Sequence, residues 1–378
     1  MSKGTIDKNT LLDKVGNGMS LDANVRINLF SMGRMGYDGI FRTFGLSIRM
    51  DGAGYISKGV FDCLKDIENK DYKIENTGIK TSAYLEIAAG ASRKVDKTFS
   101  MGGKAKLLIG LMNADLNVDD ITLNTNGETS WTANGKAQMR VSGLKYKTET
   151  KDYKVRPGRY EQVSGIKIGD IGVHGVGVAV DGGVVLKPNN NLELSAAITD
   201  LGFMAWIKSQ KAENSGKEFN FNGFQDIEIE KDNDNSLKTQ WNSMRDDIME
   251  LAHLEEKGNS TFMDMLGATI NIGALYKFDD DNRCKIGALY TGRIDEKYSW
   301  WETRINAMAK PFARTNLEVC VSPYYSTFGL GVGAMINYMS NGFNIYLASD
   351  RLFTTVNPQM IPTSLNGALH IGVAISIK

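Results

Sequence analysis

The stretch that best matches a cofactor fingerprint is rich in glycine. Gly329, Gly331 and Ala334 satisfy the pattern GxGxxA, and Asp350 follows about twenty residues later, as in a dinucleotide-binding loop. Such a loop leads directly into a helix, whereas here apolar residues keep alternating through Tyr338. The glycines therefore predict close packing within a strand, and no cofactor is expected.

Histidine and cysteine, which serve zinc sites and nucleophilic enzymes, are scattered. No histidine has a second histidine or a cysteine at ligand spacing, and no CxxC occurs. Nothing marks a nucleophile beside a histidine, so the sequence predicts neither a catalytic site nor an enzyme. The residues concerned are His174, His253, His370, Cys63, Cys284 and Cys320.

One acidic stretch begins like a calcium-binding loop. Asp232, Asp234 and Ser236 have the spacing of calcium ligands, but Leu237 stands where the tight turn needs glycine. We interpret this stretch as a solvated linker, and no metal is predicted.

The most regular charges lie in segments that look like strands. Lys104 and Lys106 alternate with Ala105 and Leu107, so one face of a strand would carry the lysines and the other the apolar side chains. This pattern fits a barrel with a polar interior better than a sandwich core. The predicted lumen-facing set is Arg49, Glu86, Lys104, Lys106, Arg293, Glu302, Arg304, Lys310 and Glu318.

This set carries both signs of charge. Opposite charges in a confined interior gain by pairing, and a lone one is costly to bury. We therefore expect a filled lumen and not an open pore, so that any route for cargo is narrow, gated or lateral.

Strand length points to a membrane. Phe328 to Met339 reads FGLGVGAMINYM and keeps a period of two throughout, whereas strands of soluble domains usually stop at about five or six residues and a tilted strand across a bilayer needs about 9–11. Similar stretches recur along the chain, and 40 glycines with only 6 prolines suit many strands joined by tight turns. The predicted fold is all-β, an antiparallel transmembrane β-barrel of about 14 strands with a short helical insertion.

The predicted organisation is a single domain. Residues 1–20 are expected to be a leader or loop remnant, and 21–378 the barrel. A helical insertion is predicted at about 232–258, where apolar residues recur at helical spacing. Ser57 to Ile67 predicts a short helix, and Lys145 to Glu161 a charged loop.

Composition limits the partners. Basic and acidic residues balance at 44 each, which argues against nucleic acid. Aromatic residues gather near strand ends, as in a membrane-interface girdle, so the expected partners are membrane lipid and lipopolysaccharide. No apolar signal core follows Met1, so an outer-membrane protein of this sequence is expected to be mature or truncated at its N-terminus.

Several segments resemble one family: LFSMGRMG with RTFGLSIR, AYLEIAAGASRKVDKTFSMGGKAKLLIGL, LELSAAITDLGFMAWIK and NIYLASDRLF. The sequence resembles an uncharacterised outer-membrane β-barrel family of Bacteroidota, a domain of unknown function similar in style to fatty-acid-transporter barrels. The resemblance implies an outer-membrane location and brings no substrate or catalytic residue.

Three functions remain open at this point. The first is a barrel that binds or transports small molecules, hydrophobic ones among them. The second is a non-transporting scaffold or accessory subunit of an envelope complex, with an envelope protein as partner. The third is a soluble all-β protein.

Overall fold

The structure is a computed structural model of the 378-residue chain. It describes residues 17–65, 71–124, 131–152, 159–170, 172–214, 219–221, 254–278, 283–312, 315–340, 342–350 and 367–375.

These ranges are almost entirely strand. A short helix α1 (Lys58–Lys65) and a 3-10 turn (Glu296–Tyr298) accompany the strands β1 (Gly18–Met35), β2 (Ile40–Ser57), β3 (Asp71–Lys94), β4 (Phe99–Asn124), β5 (Trp131–Ser142), β6 (Leu144–Asp152), β7 (Arg159–Ile168), β8 (Gly175–Leu186), β9 (Leu192–Asn214), β10 (Phe219–Phe221), β11 (Leu254–Met265), β12 (Ala268–Lys277), β13 (Cys284–Ile294), β14 (Trp300–Ala309), β15 (Leu317–Ser326), β16 (Gly329–Ser340), β17 (Phe343–Ser349) and β18 (Leu369–Ile375).

One antiparallel sheet of 16 strands forms the wall. Its main path runs β1-β2-β3-β4-β5-β9-β12-β13-β14-β15-β16-β17-β18. Two positions along the wall are each built from two strands. Along β4, strand β8 pairs with the first part and β5 pairs with the second part. Along β9, strand β12 pairs with the first part and β11 pairs with the second part.

The sheet curls so that strands far apart in its order touch through one face. Arg49 on β2 contacts Asp200 on β9, and the Trp300 indole at the start of β14 donates a hydrogen bond to Asp22 on β1. We call this the inner face and the opposite one the outer face. The predicted all-β antiparallel barrel class is confirmed, with 13 strands on the main path where about 14 were predicted.

The two ends of the wall differ. At one end, the turn end, neighbouring strands are joined by tight connections such as 36–39, 95–98 and 187–191. At the other, the loop end, the chain passes through α1, and the β6–β7 hairpin, which leaves the wall in the middle of β4, packs against the part of the wall nearer this end.

Local predictions had mixed outcomes. The short helix is confirmed as α1. The charged loop at Lys145 to Glu161 is wrong, because β6 and β7 pair there as a hairpin. Leu144 and Tyr146 alternate with charged residues, and this period of two would have predicted a strand. No helix within the described ranges is long and apolar enough to cross a membrane.

The predicted boundaries differ in two places. Strand β1 begins at Gly18, inside the segment 1–20 that was assigned to a leader, and residues 1–16 lie outside the described ones. The predicted helical insertion 232–258 lies outside the described residues up to 253, and its last five residues belong to β11.

Candidate functional site in the barrel interior

A distortion of β9 creates the centre of the interior. Asp200 adopts a left-handed backbone conformation with φ of 59°, which aspartate tolerates better than most residues. The register between β8 and β9 shifts at this point, and the Asp200 backbone N–H donates to the Asp181 carboxylate at 2.9 Å. Both carboxylates reach inner-face cations as a result.

Around Asp200 lies a network of ion pairs that we call the central network. Lys106 Nζ lies 2.6 Å from Asp181 and 2.7 Å from Asp200, and its side chain is only 3% exposed. Arg49 Nη1 lies 2.7 Å from Asp200 and 3.1 Å from Glu86. Side chains from several strands are thus held together, because each buried charge has an opposite partner.

Glu86 is the most deeply buried acid of this network. Its side chain is 1% exposed, and Arg26 contacts one of its oxygens at 2.6 Å while Arg49 contacts the other. Tyr84 donates its hydroxyl proton to Asp51 at 2.6 Å, and the Arg49 guanidinium lies over the Tyr84 ring.

Beside the network is an apolar cluster, which we call the inner apolar cluster. It contains Tyr84, Leu108, Ala179, Met204 and Trp206, against which Phe262 and Leu266 pack. Gly110 makes room for the Trp206 ring, since a Cβ at that position would lie 2.5 Å from it. Among the described residues the buried Trp206 Nε1–H has no hydrogen-bond acceptor.

A second charged group, the rim cluster, lies toward the loop end. Lys80 Nζ contacts Asp264 on β11 at 2.9 Å and Asp295 at 3.5 Å. Asp295 begins the connection from β13 to β14, and Lys297 in the same connection donates to Asn117 on β4. This connection therefore reaches across the barrel, from β13 and β14 to the inner face of β3 and β4.

Between the central network and the rim cluster little space remains. The cavity there is lined by residues of both groups, including Arg49, Lys80 and Asp200. It has room for about one water molecule.

The predicted lumen-facing residues fall into several groups. Arg49, Glu86 and Lys106 meet in the central network, and Arg293 pairs with Asp295 in the rim cluster. Two further contacts lie apart from these clusters: Arg304 contacts Glu302 at 2.8 Å as well as Asp350, and Glu318 pairs with Lys285 at 2.9 Å. Lys104 is exposed near the start of β4, and the half-buried Lys310 follows β14; both lie outside these clusters. A role for the set in lining a passage stays a prediction.

Sequence reasoning missed several members of these clusters. Asp181, Asp200 and Asp264 were not selected, although Asp181 and Asp200 each interrupt a run of apolar or small residues. Trp206 lies in one of the segments that carry the family resemblance and near a strand end, which predicts a place in the aromatic girdle, but it is 1% exposed and lies inside.

Histidine and metal chemistry find little support in the described parts of the chain. His370 Nε2 lies within hydrogen-bond distance of Asp350 at 2.9 Å, and Arg304 contacts the other Asp350 oxygen at 2.7 Å, so this histidine has an acidic partner that it shares with Arg304. Within the described residues no group of three or more histidine, cysteine or acidic side chains could hold a metal ion.

The comparisons with known proteins give the family. Residues 1–350 match the model described as "Family of unknown function (DUF5723)". The chain therefore belongs to this family. No curated protein matches the sequence.

The solved structures to which the chain is similar have low sequence identity and low TM-scores. The Ralstonia pickettii toluene transporter TbuX is 10% identical, with a TM-score of 0.39 over 88% of this chain and 82% of that one. A Pseudomonas aeruginosa FadL homologue is 10% identical, with a TM-score of 0.36 over 88% and 75%. The P. putida toluene transporter TodX is 10% identical, with a TM-score of 0.36 over 91% and 85%.

Proposed function

We propose that this protein is an outer-membrane β-barrel that binds or transports small molecules, hydrophobic ones among them. Its partners on the outer face would be membrane lipid and lipopolysaccharide. The single observation that carries the proposal is the sorting of side chains between two faces of one curled sheet, charged and buried inside, apolar and exposed outside.

The outer face supports a lipid environment. Ile305 and Ile336 are each 53% exposed, and Val373 is 59% exposed. Similar residues recur on neighbouring strands, which makes a larger apolar surface than soluble proteins usually leave in water. A bilayer would cover this surface, since the lipid-facing band of a membrane barrel is apolar.

The two ends support an orientation. Bacterial barrels place short turns on the periplasmic side and longer loops outside the cell. The turn end would then face the periplasm, and the loop end, with α1 and the β6–β7 hairpin, would face the exterior.

The inner apolar cluster supports the binding of a small molecule. It offers an apolar surface next to charged groups, and the Trp206 indole N–H is a donor without an acceptor among the described residues. Pockets for small molecules combine apolar walls with a few polar groups in this way. With room for about one water beside the central network, entry would require side chains to move.

The first experiment uses a small hydrophobic probe. Purified protein in detergent is titrated with the dye N-phenyl-1-naphthylamine, and dye fluorescence measures binding. We expect saturable binding that Trp206→Leu weakens several-fold, because the variant removes a wall of the cluster. Trp301→Leu, which alters a side chain that is 39% exposed on the outer face, is the matched control. Binding that is unaffected by Trp206→Leu would contradict the proposed site.

The second experiment tests the filled lumen in planar bilayers. We expect insertion without large, steady conductance. A porin-like conductance from the wild type would refute the filled interior and favour a general diffusion pore.

A non-transporting scaffold or accessory subunit of an envelope complex is the second candidate. The dense packing of charges across the interior favours it. Recovery of a stoichiometric envelope partner in mild detergent, together with no dye binding, would decide for this candidate. A soluble all-β protein is disfavoured by the exposed apolar outer face.

A further inference from the structure

The β6–β7 hairpin lies outside the wall and is anchored to it. The chain leaves the wall after Ser142 and returns at Gly175, where β8 continues the position that β5 had occupied. The hairpin packs through Tyr146 and Val163 on the fully buried Val141 and Ala212. These outer-face residues of β5 and β9 are thus covered by protein.

The base of the hairpin exposes apolar side chains beside the exposed apolar wall. Ile168 is 75% exposed and Val173 is 54% exposed. On the part of the wall next to the base of the hairpin, Val176 and Ile207 are 48% and 38% exposed. The apolar surface therefore continues from the outer face of the wall onto the hairpin. The part of the outer face that the hairpin covers, at Val141 and Ala212, begins closer to the loop end.

The same part of the hairpin is basic. Lys145 lies directly opposite Lys167 in the β6–β7 ladder, and Lys147 beside them is exposed. Like charges opposite each other destabilise a strand pair. The Asp170 carboxylate, 3.0 Å from Lys145, neutralises one of these charges and leaves an excess of positive charge. An added anion would relieve the remaining repulsion.

We propose that the base of the β6–β7 hairpin is a docking surface for the phosphate headgroups of lipids in the leaflet at the loop end. Ile168 and Val173 enter the boundary between headgroups and acyl chains, while Lys145, Lys147 and Lys167 contact phosphate. Basic groups beside buried apolar side chains bind anionic membrane surfaces by this combination. The inference rests on the proposed membrane location.

The first test compares headgroups. The protein is placed in nanodiscs of phosphatidylcholine with and without phosphatidylglycerol, and the midpoint of thermal unfolding is measured. We expect the anionic lipid to raise the midpoint of the wild type by several degrees, and Lys145→Gln combined with Lys167→Gln to abolish most of that rise.

The matched control is Lys136→Gln. Lys136 is exposed on β5, six residues away from Ser142, which places it about 20 Å along the strand from Ser142, toward the loop end and away from the base of the hairpin. It should keep the full rise. An equal rise in the hairpin variant and the wild type, or none in either, would overturn the inference.

The second test separates this inference from the proposed function. Nitroxide labels are attached at Ile168→Cys, Ile305→Cys and Thr148→Cys, with the native cysteines replaced by alanine. Oxygen accessibility reports hydrocarbon, and a water-soluble nickel reagent reports water. We expect label 305 in hydrocarbon, label 168 at the boundary and label 148 in water.

The outcomes are distinct. If label 168 is as aqueous as label 148 while label 305 is in hydrocarbon, the docking surface is refuted and the membrane barrel stands. If label 305 is aqueous as well, the membrane location itself fails.

Discussion

The two halves of the wall differ in height. Strands β1 to β4 contain 18 to 26 residues and β9 contains 23, whereas β13 to β18 contain 7 to 12. A bilayer needs strands of about 9–11 residues. The short half therefore matches the span of the proposed bilayer. The tall half has length to spare, which would form a wall beyond that bilayer, and the hairpin packs against its strands β5 and β9.

The halves also differ inside. In the tall half, Arg49, Glu86, Lys106 and Asp200 form one network across four strands, with side chains between 1% and 16% exposed. In the short half, pairs such as Lys285 with Glu318 stand apart and are 18% and 11% exposed. The largest ionic network of the described interior thus lies in the tall half, although Arg304 in the short half also contacts two acids, Glu302 and Asp350.

The largest effect should come from Asp200→Asn. Asparagine keeps the shape and accepts the left-handed conformation, but it removes a charge shared by Lys106 and Arg49. Breaking a buried ion pair in this way costs about 3–5 kcal/mol. Urea unfolding of the protein refolded into lipid vesicles measures the loss.

The matched variant in the short half is Glu318→Gln. It removes one charge from a pair with a single cation, Lys285, whereas Asp200 is shared by Lys106 and Arg49, so we expect a smaller loss. Equal losses for the two variants would show that the halves do not differ in the way the ion pairs suggest.

The next effect concerns the outer face of the short half. Ile305→Lys places a charge where the proposed bilayer is, which costs about 2–4 kcal/mol at the midplane. Thr148→Lys, on the exposed hairpin, should fold like the wild type. Both are scored by heat-modifiable mobility after refolding. If Ile305→Lys folds as well as Thr148→Lys, that face of the wall does not meet lipid.

The smallest effect lies at the turn end. The Arg42 guanidinium beside Asp38 and the Ile40 backbone N–H lower the pKa of the Asp38 carboxyl to about 2, from the ordinary 3.8. Because the folded-state pKa is lowered, the contribution to stability is present above about pH 4 and is lost as pH falls toward about 2.

Asp38→Asn should remove this dependence. Above about pH 4 the wild type should have a slightly higher thermal unfolding midpoint than the variant. This difference should disappear as pH falls from about 4 to about 2. The pair is exposed, so this difference should be smaller than those expected for Asp200, Glu318 and Ile305. A constant difference across this window would mean that Asp38 does not titrate with the lowered pKa.

Alternation alone was enough for the fold class. Alternation with Lys104 and Lys106 places Leu107 on the apolar face, and Leu107 is 44% exposed on the outer face. Periodicity reports which face a residue occupies relative to its neighbours. Periodicity carries no information on which distant strand a residue will contact, so the partners of Arg49 could not be predicted.

Positions where the strand pairing is irregular were not predicted, for a related reason. The left-handed Asp200 lies where the register between β8 and β9 shifts, and a one-residue shift exchanges the faces of all later residues in the strand. The division of single wall positions between β5 and β8, or between β11 and β12, depends on such interruptions. Counting alternating segments therefore could not give the number of wall positions.

The wall position shared by β5 and β8 has a consequence for the entropy of the chain. Gly143 and His174 are adjacent to the same part of β4, since the His174 backbone N–H donates to Gly110 and Gly143 lies against Leu111. The excursion between them begins and ends at nearly one point. Doubling the length of such a loop costs only about 0.6 kcal/mol in closure entropy. A replacement segment of different length would therefore cost the ladder on either side little entropy, provided that it covers Val141 and Ala212 as the hairpin does. This makes the junction a natural place to graft a foreign epitope.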